Sequence, residues 1–358
     1  MTGVQTCALP ISPKGELARA NGLTGRVDTR VEVPQGRGHV MQVAQTDRLV
    51  VLRDVNTGRV SSLDLATLQI TAAMPTTAGL GVTVALHEDA AFVVDAVQGI
   101  VQQLDPRSLT PIGEPVHYPP GIVGGYFDGT GRLWVAVPSE GTVSAVTPAA
   151  LPASSTATGA TSPRQIRTVA VAEPSHDLAI SALDSGVAVL DRTAGALTVV
   201  RDDQQLVVRL PLTGAGALPS RSTGDQIAVT VAETRRVHVV DADGVREILV
   251  PGSGNRLQAS VVWAGRVYTA DDGMIYVFDE AGNLVDQIQF QGANGPLELE
   301  VRENHLFVNA PNSSTARVVD DRHRVLVVDK YANDILGGDP PPTPPPPPPP
   351  KKPTVGKP

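Results

Sequence analysis

One spacing governs this sequence. A β-rich run, a polar corner, a glycine and a second β-rich run recur about every forty residues, three times in plain form: Leu49 to Asp64, Phe92 to Asp105 and Val187 to Arg201. Weaker copies centre on Trp134 with Gly141, Val229 with Val237, Tyr268 with Gly273 and Phe307 with Ala316. The residues that close the second run are Asp64, Asp105, Thr147, Arg201, Asp241, Asp279 and Asp320, at steps of 41, 42, 54, 40, 38 and 41. The long step contains Pro148 to Pro163, a Pro/Ala/Ser/Thr-rich insertion without periodicity, and removing its excess brings that step back near forty.

Each unit holds about four short runs rich in Val and Thr, which suit a pleated surface. Gly, Asp, Asn and Pro separate them, as in Asp241 to Gly244 and Asp279 to Gly282, where Gly supplies the positive φ of tight hairpins. No segment has a helical period. Four strands per forty-odd residues are the pattern of propeller blades; a solenoid rung is shorter, and a sandwich does not repeat at this step. The expected fold is therefore an all-β propeller of seven four-stranded blades between His39 and Asp329, or eight with the half unit Gly25 to Val33. That half unit is either the outer part of a blade cut short or a strand that closes the ring. With 358 residues and 41% hydrophobic content, the chain can bury such a core.

Both ends stand apart from the repeat. Met1 to Ile11 resembles the in-frame translation of a sequencing adapter and lacks the basic and long apolar regions of a secretory signal. The expectation is an artefactual leader over residues 1–11 that never packs, with the propeller over 12–338, its first blade truncated. That leader holds Cys7, the only cysteine, so disulfides and thiolate metal sites are not expected. No apolar run reaches the roughly 18 residues of a membrane span, and any membrane attachment is expected through a segment upstream. At the other end, residues 339–358 form a proline-rich linker: Pro340 to Pro350, broken only by Thr343, can join neither sheet nor helix. It should extend as a polyproline II rod of roughly 30 to 35 Å.

The Val51 to Val60 and Phe92 to Val101 segments resemble extracellular propellers of the YVTN type, a likeness that spans most of the chain and speaks for fold rather than function. Arg outnumbers Lys, and Ala, Val and Gly abound, as in high-GC bacteria. The order Asn309 to Ser314, Val328 to Gly338 and then the proline tract resembles actinobacterial surface proteins in which a propeller precedes fibronectin type III domains. The resemblance implies a membrane-anchored cell-surface protein with further domains beyond the linker. An SH3-type ligand role for the proline tract would need a cytoplasmic eukaryotic setting, for which nothing in the chain speaks.

Chemistry is sparse. A formal charge of -8 offers no basic footprint for nucleic acid. The seven histidines, His39, His87, His117, His176, His238, His305 and His323, are scattered without metal-ligand spacing. Neither a Gly-x-Ser-x-Gly elbow nor a phosphate-binding or dinucleotide motif occurs. Asp241-x-Asp-Gly and Asp271-Asp-Gly read as hairpin corners, since the distal Glu of a calcium loop is missing. Asn312-Ser-Ser matches a glycosylation sequon, read as chance in a bacterial chain. Trp134 and Trp263 lie in β runs and are expected between blades, not in a sugar-stacking cluster. No catalytic, cofactor-binding or metal residue is therefore assigned, and no cofactor is expected.

Geometry alone nominates the first run of each unit, where inner strands meet the central channel: Val40 to Ala44, Val82 to Ala85, Ile122 to Phe127, Asp177 to Ser181, Leu257 to Val261 and Glu298 to Val301. The expected function is a noncatalytic binding or scaffold module of the cell exterior, with a protein or envelope polysaccharide as partner. The alternatives are a lactonase- or lyase-like enzyme with acids and histidines at the channel mouth, or an accessory part of a polysaccharide-degrading protein.

Overall fold

The computed structural model describes residues 6–151, 162–253, 256–291, 293, 295–332 and 335. Eight antiparallel sheets follow one another along the chain, and each is built only from consecutive strands. Blade 1 comprises β1 (Thr6–Ile11), β2 (Glu16–Asn21) and β3 (Arg26–Glu32). Blade 2 comprises β4 (Met41–Gln45), β5 (Leu49–Asp54), β6 (Arg59–Asp64) and β7 (Gln69–Pro75). Blade 3 has β8 (Val82–His87), β9 (Ala90–Asp95), β10 (Ile100–Leu104) and β11 (Val116–His117); blade 4 has β12 (Val123–Phe127), β13 (Leu133–Val137), β14 (Thr142–Thr147) and β15 (Arg164–Ala170). Blade 5 has β16 (Leu178–Ala182), β17 (Val187–Asp191), β18 (Ala196–Arg201) and β19 (Gln204–Arg209); blade 6 has β20 (Gly216–Ala217), β21 (Ile227–Val231), β22 (Arg236–Asp241) and β23 (Gly244–Leu249). Blade 7 has β24 (Val261–Trp263), β25 (Arg266–Asp271), β26 (Met274–Phe278) and β27 (Leu284–Gln289); blade 8 has β28 (Glu298–Arg302), β29 (His305–Asn309), β30 (Thr315–Val319) and β31 (Val325–Asp329). A single 3-10 turn, Pro138–Glu140, is the one helical element among the described residues.

The repeat maps onto this architecture one for one. Every closing residue from Asp64 to Asp320 stands at the end of the third strand of a four-stranded blade. The corner chemistry explains why aspartate is favoured there: Asp64 Oδ1 accepts the backbone N–H groups of Ala66 and Thr67, Asp105 Oδ1 those of Arg107 and Ser108, and Asp320 Oδ1 those of Arg322 and Arg324. A carboxylate thus holds the turn that starts the outermost strand. Second strands lie at the centre of each blade and are apolar on both faces, as in the fully buried β5, β13, β17, β21 and β29. Outermost strands such as β7 and β15 alternate between exposed and half-buried.

The core is a ring of interblade clusters. Trp134, Ala136 and Val143 of blade 4 pack on Ile180, Val187 and Val189 of blade 5. Both tryptophans sit between blades, as their β runs imply: Trp134 donates to Asp128 Oδ2, and Trp263 reaches across to the Asp320 carbonyl. Asp128 is a fully buried hub whose Oδ2 also takes the Gly186 N–H of the next blade, so one carboxylate joins two sheets.

The ring has eight sheets, the larger of the two expected counts, and the half unit is β3, the outer strand of blade 1. One outcome differs from the sequence reading. Residues 6–11, expected to stay outside the fold, form β1, whose six residues are all buried. The reason is alternation: Cys7, Leu9 and Ile11 fill the space against Phe307 and Val318 of blade 8, while Ala8 meets Met41 and Leu52 of blade 2. The linker and most of the Pro148 to Pro163 insertion lie outside the described residues.

Candidate functional site: the inner edge of blade 1

The first strands β4, β8, β12, β16, β20, β24 and β28 line the channel, so the six nominated runs fall at or beside inner strands. Blade 6 escaped nomination because β20 has only two residues and no β pattern.

Blade 1 departs from the other seven. Its three strands occupy the second, third and outermost positions, and the innermost is missing among the described residues. Three observations fix this. β1 runs alongside β29, a second strand: Arg302 Nε donates to the Thr6 carbonyl at one end, and Ser12 donates to the Pro311 carbonyl at the other. Asn21 at the end of β2 holds the N–H groups of Leu23 and Thr24 through Oδ1, the corner device of the third strands. Asn21 also precedes Asp64 by 43 residues, one repeat step.

Among the described residues, the inner edge of β1 lies between blade 8 and β4. Side chains from the neighbouring blades satisfy that edge. Gln45 Oε1 accepts from Ala8 N at 2.7 Å, and Asn309 Nδ2 and Lys330 Nζ both reach the Pro10 carbonyl. Met41 and Val43 form the apolar wall, packed with Ala8 and Leu17. Glu298, Glu300 and Arg302, alternate residues of β28, form the opposite wall. Gln45 Nε2 donates to both oxygens of Glu300 at 3.3 and 3.2 Å.

The electrostatics follow from this half-enclosed position. Glu298 and Glu300 both touch solvent. Protein nevertheless surrounds them, and burial raises both carboxyls above the usual range. Lys330, fully buried beneath them, is lowered to about 8, chiefly by burial and against the pull of Glu298. At the mouth, Arg302 Nη2 meets Asp47 at 2.8 Å and Glu303 at 3.2 Å. Burial and the neighbouring Asp47 raise Glu303 to about 7. The Cys7 thiol is pushed up by burial and by Glu300, which keeps it protonated and poorly nucleophilic.

The histidines do not converge. His39 and His176 make the same staple in blades 2 and 5, to Asp54 at 2.7 Å and Asp191 at 2.8 Å, each fifteen residues on. His323 meets the Tyr268 hydroxyl, His87 stacks on Phe127, His305 faces the Glu303 carbonyl, and His238 is buried within blade 6. Asp241 and Asp271 stand at hairpin corners, Asp271 paired with Arg235 at 2.8 Å. Among the described residues no three His, Cys, Asp or Glu side chains gather as a metal-holding group. A cleft of roughly 380 Å³ opens at the rim between blades 8 and 1, bordered by Leu23, His305, Asp320 and Arg324.

No protein-family model matches the chain, and no curated protein matches it. Solved structures do. The dihydro-heme d1 dehydrogenase NirN in complex with DHE is 16% identical with a TM-score of 0.64, covering 91% of this chain and 74% of its own. BamB from Moraxella catarrhalis is 13% identical at a TM-score of 0.58, over 90% and 95% of the two chains. Virginiamycin B lyase from Staphylococcus aureus is 9% identical at 0.57, over 76% and 92%. At such identities the likeness is one of fold. The same ring serves a dehydrogenase and a lyase, so the architecture alone does not choose a chemistry.

Proposed function

We propose that this propeller is a noncatalytic binding module of the cell exterior, in which the inner ring holds a protein segment and the proline-rich linker spaces the ring from further domains of fibronectin type III kind. The polar cluster beside β1 carries this reading. It offers carboxylates, an amide and a guanidinium, all groups that recognise polypeptide, and its cysteine is held as a thiol. General acid–base or nucleophilic catalysis needs a base in reach of an activated nucleophile, and the described channel wall brings no such pair together. The surface location rests on the resemblance of the repeat and of the C-terminal order to actinobacterial surface proteins, and fractionation of cells expressing the gene would test it.

The decisive experiment is a panel of lactones, esters, glycosides and cyclic peptides offered to the purified chain with and without divalent metal. Turnover indistinguishable from buffer is expected. Metal-dependent turnover that disappears in Glu298→Ala, Glu300→Ala or Glu303→Ala would replace the binding reading with an enzymatic one.

A further inference from the structure

We infer that β19, the outer strand of blade 5, is a docking edge for β19 of a second copy of this chain, the two strands pairing antiparallel about a twofold axis at Leu206. The inference goes beyond the binding-module reading, because this edge lies on the outside of the ring. A regular apolar strand with a free edge is a template for another strand, and sheet proteins blunt such edges with bulges, charges or short length. Most outer strands here carry one of those devices. β3, β7, β15 and β27 each hold one extra residue, at Asp28, Thr71, Ile166 and Val285. β11 has two residues, β23 places Arg246 and Glu247 at its centre, and β31 exposes a single large apolar side chain, Val327. β19 pairs with β18 at six consecutive positions without a shift and carries no charge from Gln204 to Val208. It exposes both Leu206 (54%) and Val207 (55%), one on each face.

The hairpin fixes which groups the edge offers. Asp202 and Asp203 make a two-residue turn, with Asp202 at φ 41°, so Arg201 and Gln204 form a hydrogen-bonded pair. Pairs alternate from there, and the Leu210 N–H on the Gly195 carbonyl at 2.8 Å keeps the same phase. The N–H and C=O groups of Gln205, Val207 and Arg209 therefore point away from β18, and no described strand lies beyond them. Charge makes this strand complementary to itself. With Leu206 on the axis, the main chain of Gln205 meets that of the partner's Val207, and Asp203 stands opposite the partner's Arg209 at both ends. Asp202 already lies near Arg132 at 3.9 Å, whereas Asp203 and Arg209 are exposed, and Arg209 Nη1 donates only to the Ala194 carbonyl. Opposite charges directly across a strand pair stabilise it, and like charges there oppose it. Leu206 meets its own copy at a pair without main-chain bonds, where side chains come closest. The same patch serves both copies, as a closed twofold dimer requires.

The test is sedimentation equilibrium on the full chain, where a reversible monomer–dimer equilibrium is expected. Val207→Pro removes an N–H that β18 does not use, a place where an edge strand tolerates proline. It should weaken association by about tenfold or more while circular dichroism and Tm show an intact ring. Charge exchange gives a second arm that does not depend on proline. Asp203→Arg sets Arg against Arg across the axis, and Arg209→Asp sets Asp against Asp, so each variant alone should stay monomeric. Mixed in equal amounts, the two variants present opposite charges at both ends, and a mixed dimer should return.

A parent chain that stays monomeric up to about 0.5 mM would overturn the inference. So would undiminished association in Val207→Pro, or a mixture that associates no better than either charge variant alone. Dimers that form only when residues 152–161 are deleted would overturn it as well, since the edge would then be covered by the chain itself. None of these outcomes bears on turnover or on binding at the inner ring, so the two readings fail separately.

Discussion

His238 shows how a single side chain contributes to the acid sensitivity of the ring. It is fully buried on β22, neither ring nitrogen has a hydrogen-bond partner, and Glu247 approaches only to 3.9 Å. Burial lowers its pKa, because the charged ring has lost water without gaining a close counter-charge. The unfolded chain, with His near 6.5, takes up a proton more readily than the folded one as pH falls. Stability is therefore complete above about 6.5 and declines from there toward the lower folded-state value. His238→Leu should lose less Tm between pH 7 and pH 5 than the parent, because other titrating groups contribute equally to both. An identical loss in the two proteins would show that the folded ring already carries the proton. No sequence signal marked this histidine. It sits opposite Val229 in the β21–β22 pair, and burial of such a position is set by the assembled ring rather than by local sequence.

At the scale of the element, β1 is the strand for which burial and sequence origin give opposite expectations. A segment resembling an adapter should be dispensable, yet Ile11 and Cys7 are wholly inaccessible between blades 8 and 1. Truncating a buried Ile to Ala costs about 2–5 kcal/mol, and Ile11→Ala should lose a comparable amount in chemical denaturation. A change below about 0.5 kcal/mol would show that β1 does not pack. The blades themselves were legible because their code is local: alternation, Asp at the third-strand corner and Gly in the hairpin sit within about forty residues. The polar cluster beside β1 was not. Glu300 lies in a run that geometry nominates, but its partner Gln45 is more than 250 positions away. No local pattern links the two.

Among the described residues, no sheet combines strands from the two ends of the chain. Blades 8 and 1 meet through side-chain packing and a buried polar seam. In that seam Lys330 Nζ donates to Asn309 Oδ1 at 2.9 Å and to the Ala310 carbonyl at 2.7 Å, and Arg30 Nη1 donates to the Lys330 carbonyl. Lys330, Tyr331 and Ile335 meet β1 at this one interface, so tension applied between the two ends falls directly on it rather than being shared around the circle. Such a ring should behave under load as a coiled tape measure. It would open first at the seam and then pay out one blade at a time, each releasing on the order of 140 Å of contour for forty residues at about 3.5 Å apiece. Pulling on the ends in an optical trap should give a train of similar steps after one weaker initial event, whereas a single cooperative rip of the entire ring would exclude it. That staircase would let the chain lengthen many times over before its last blade opens.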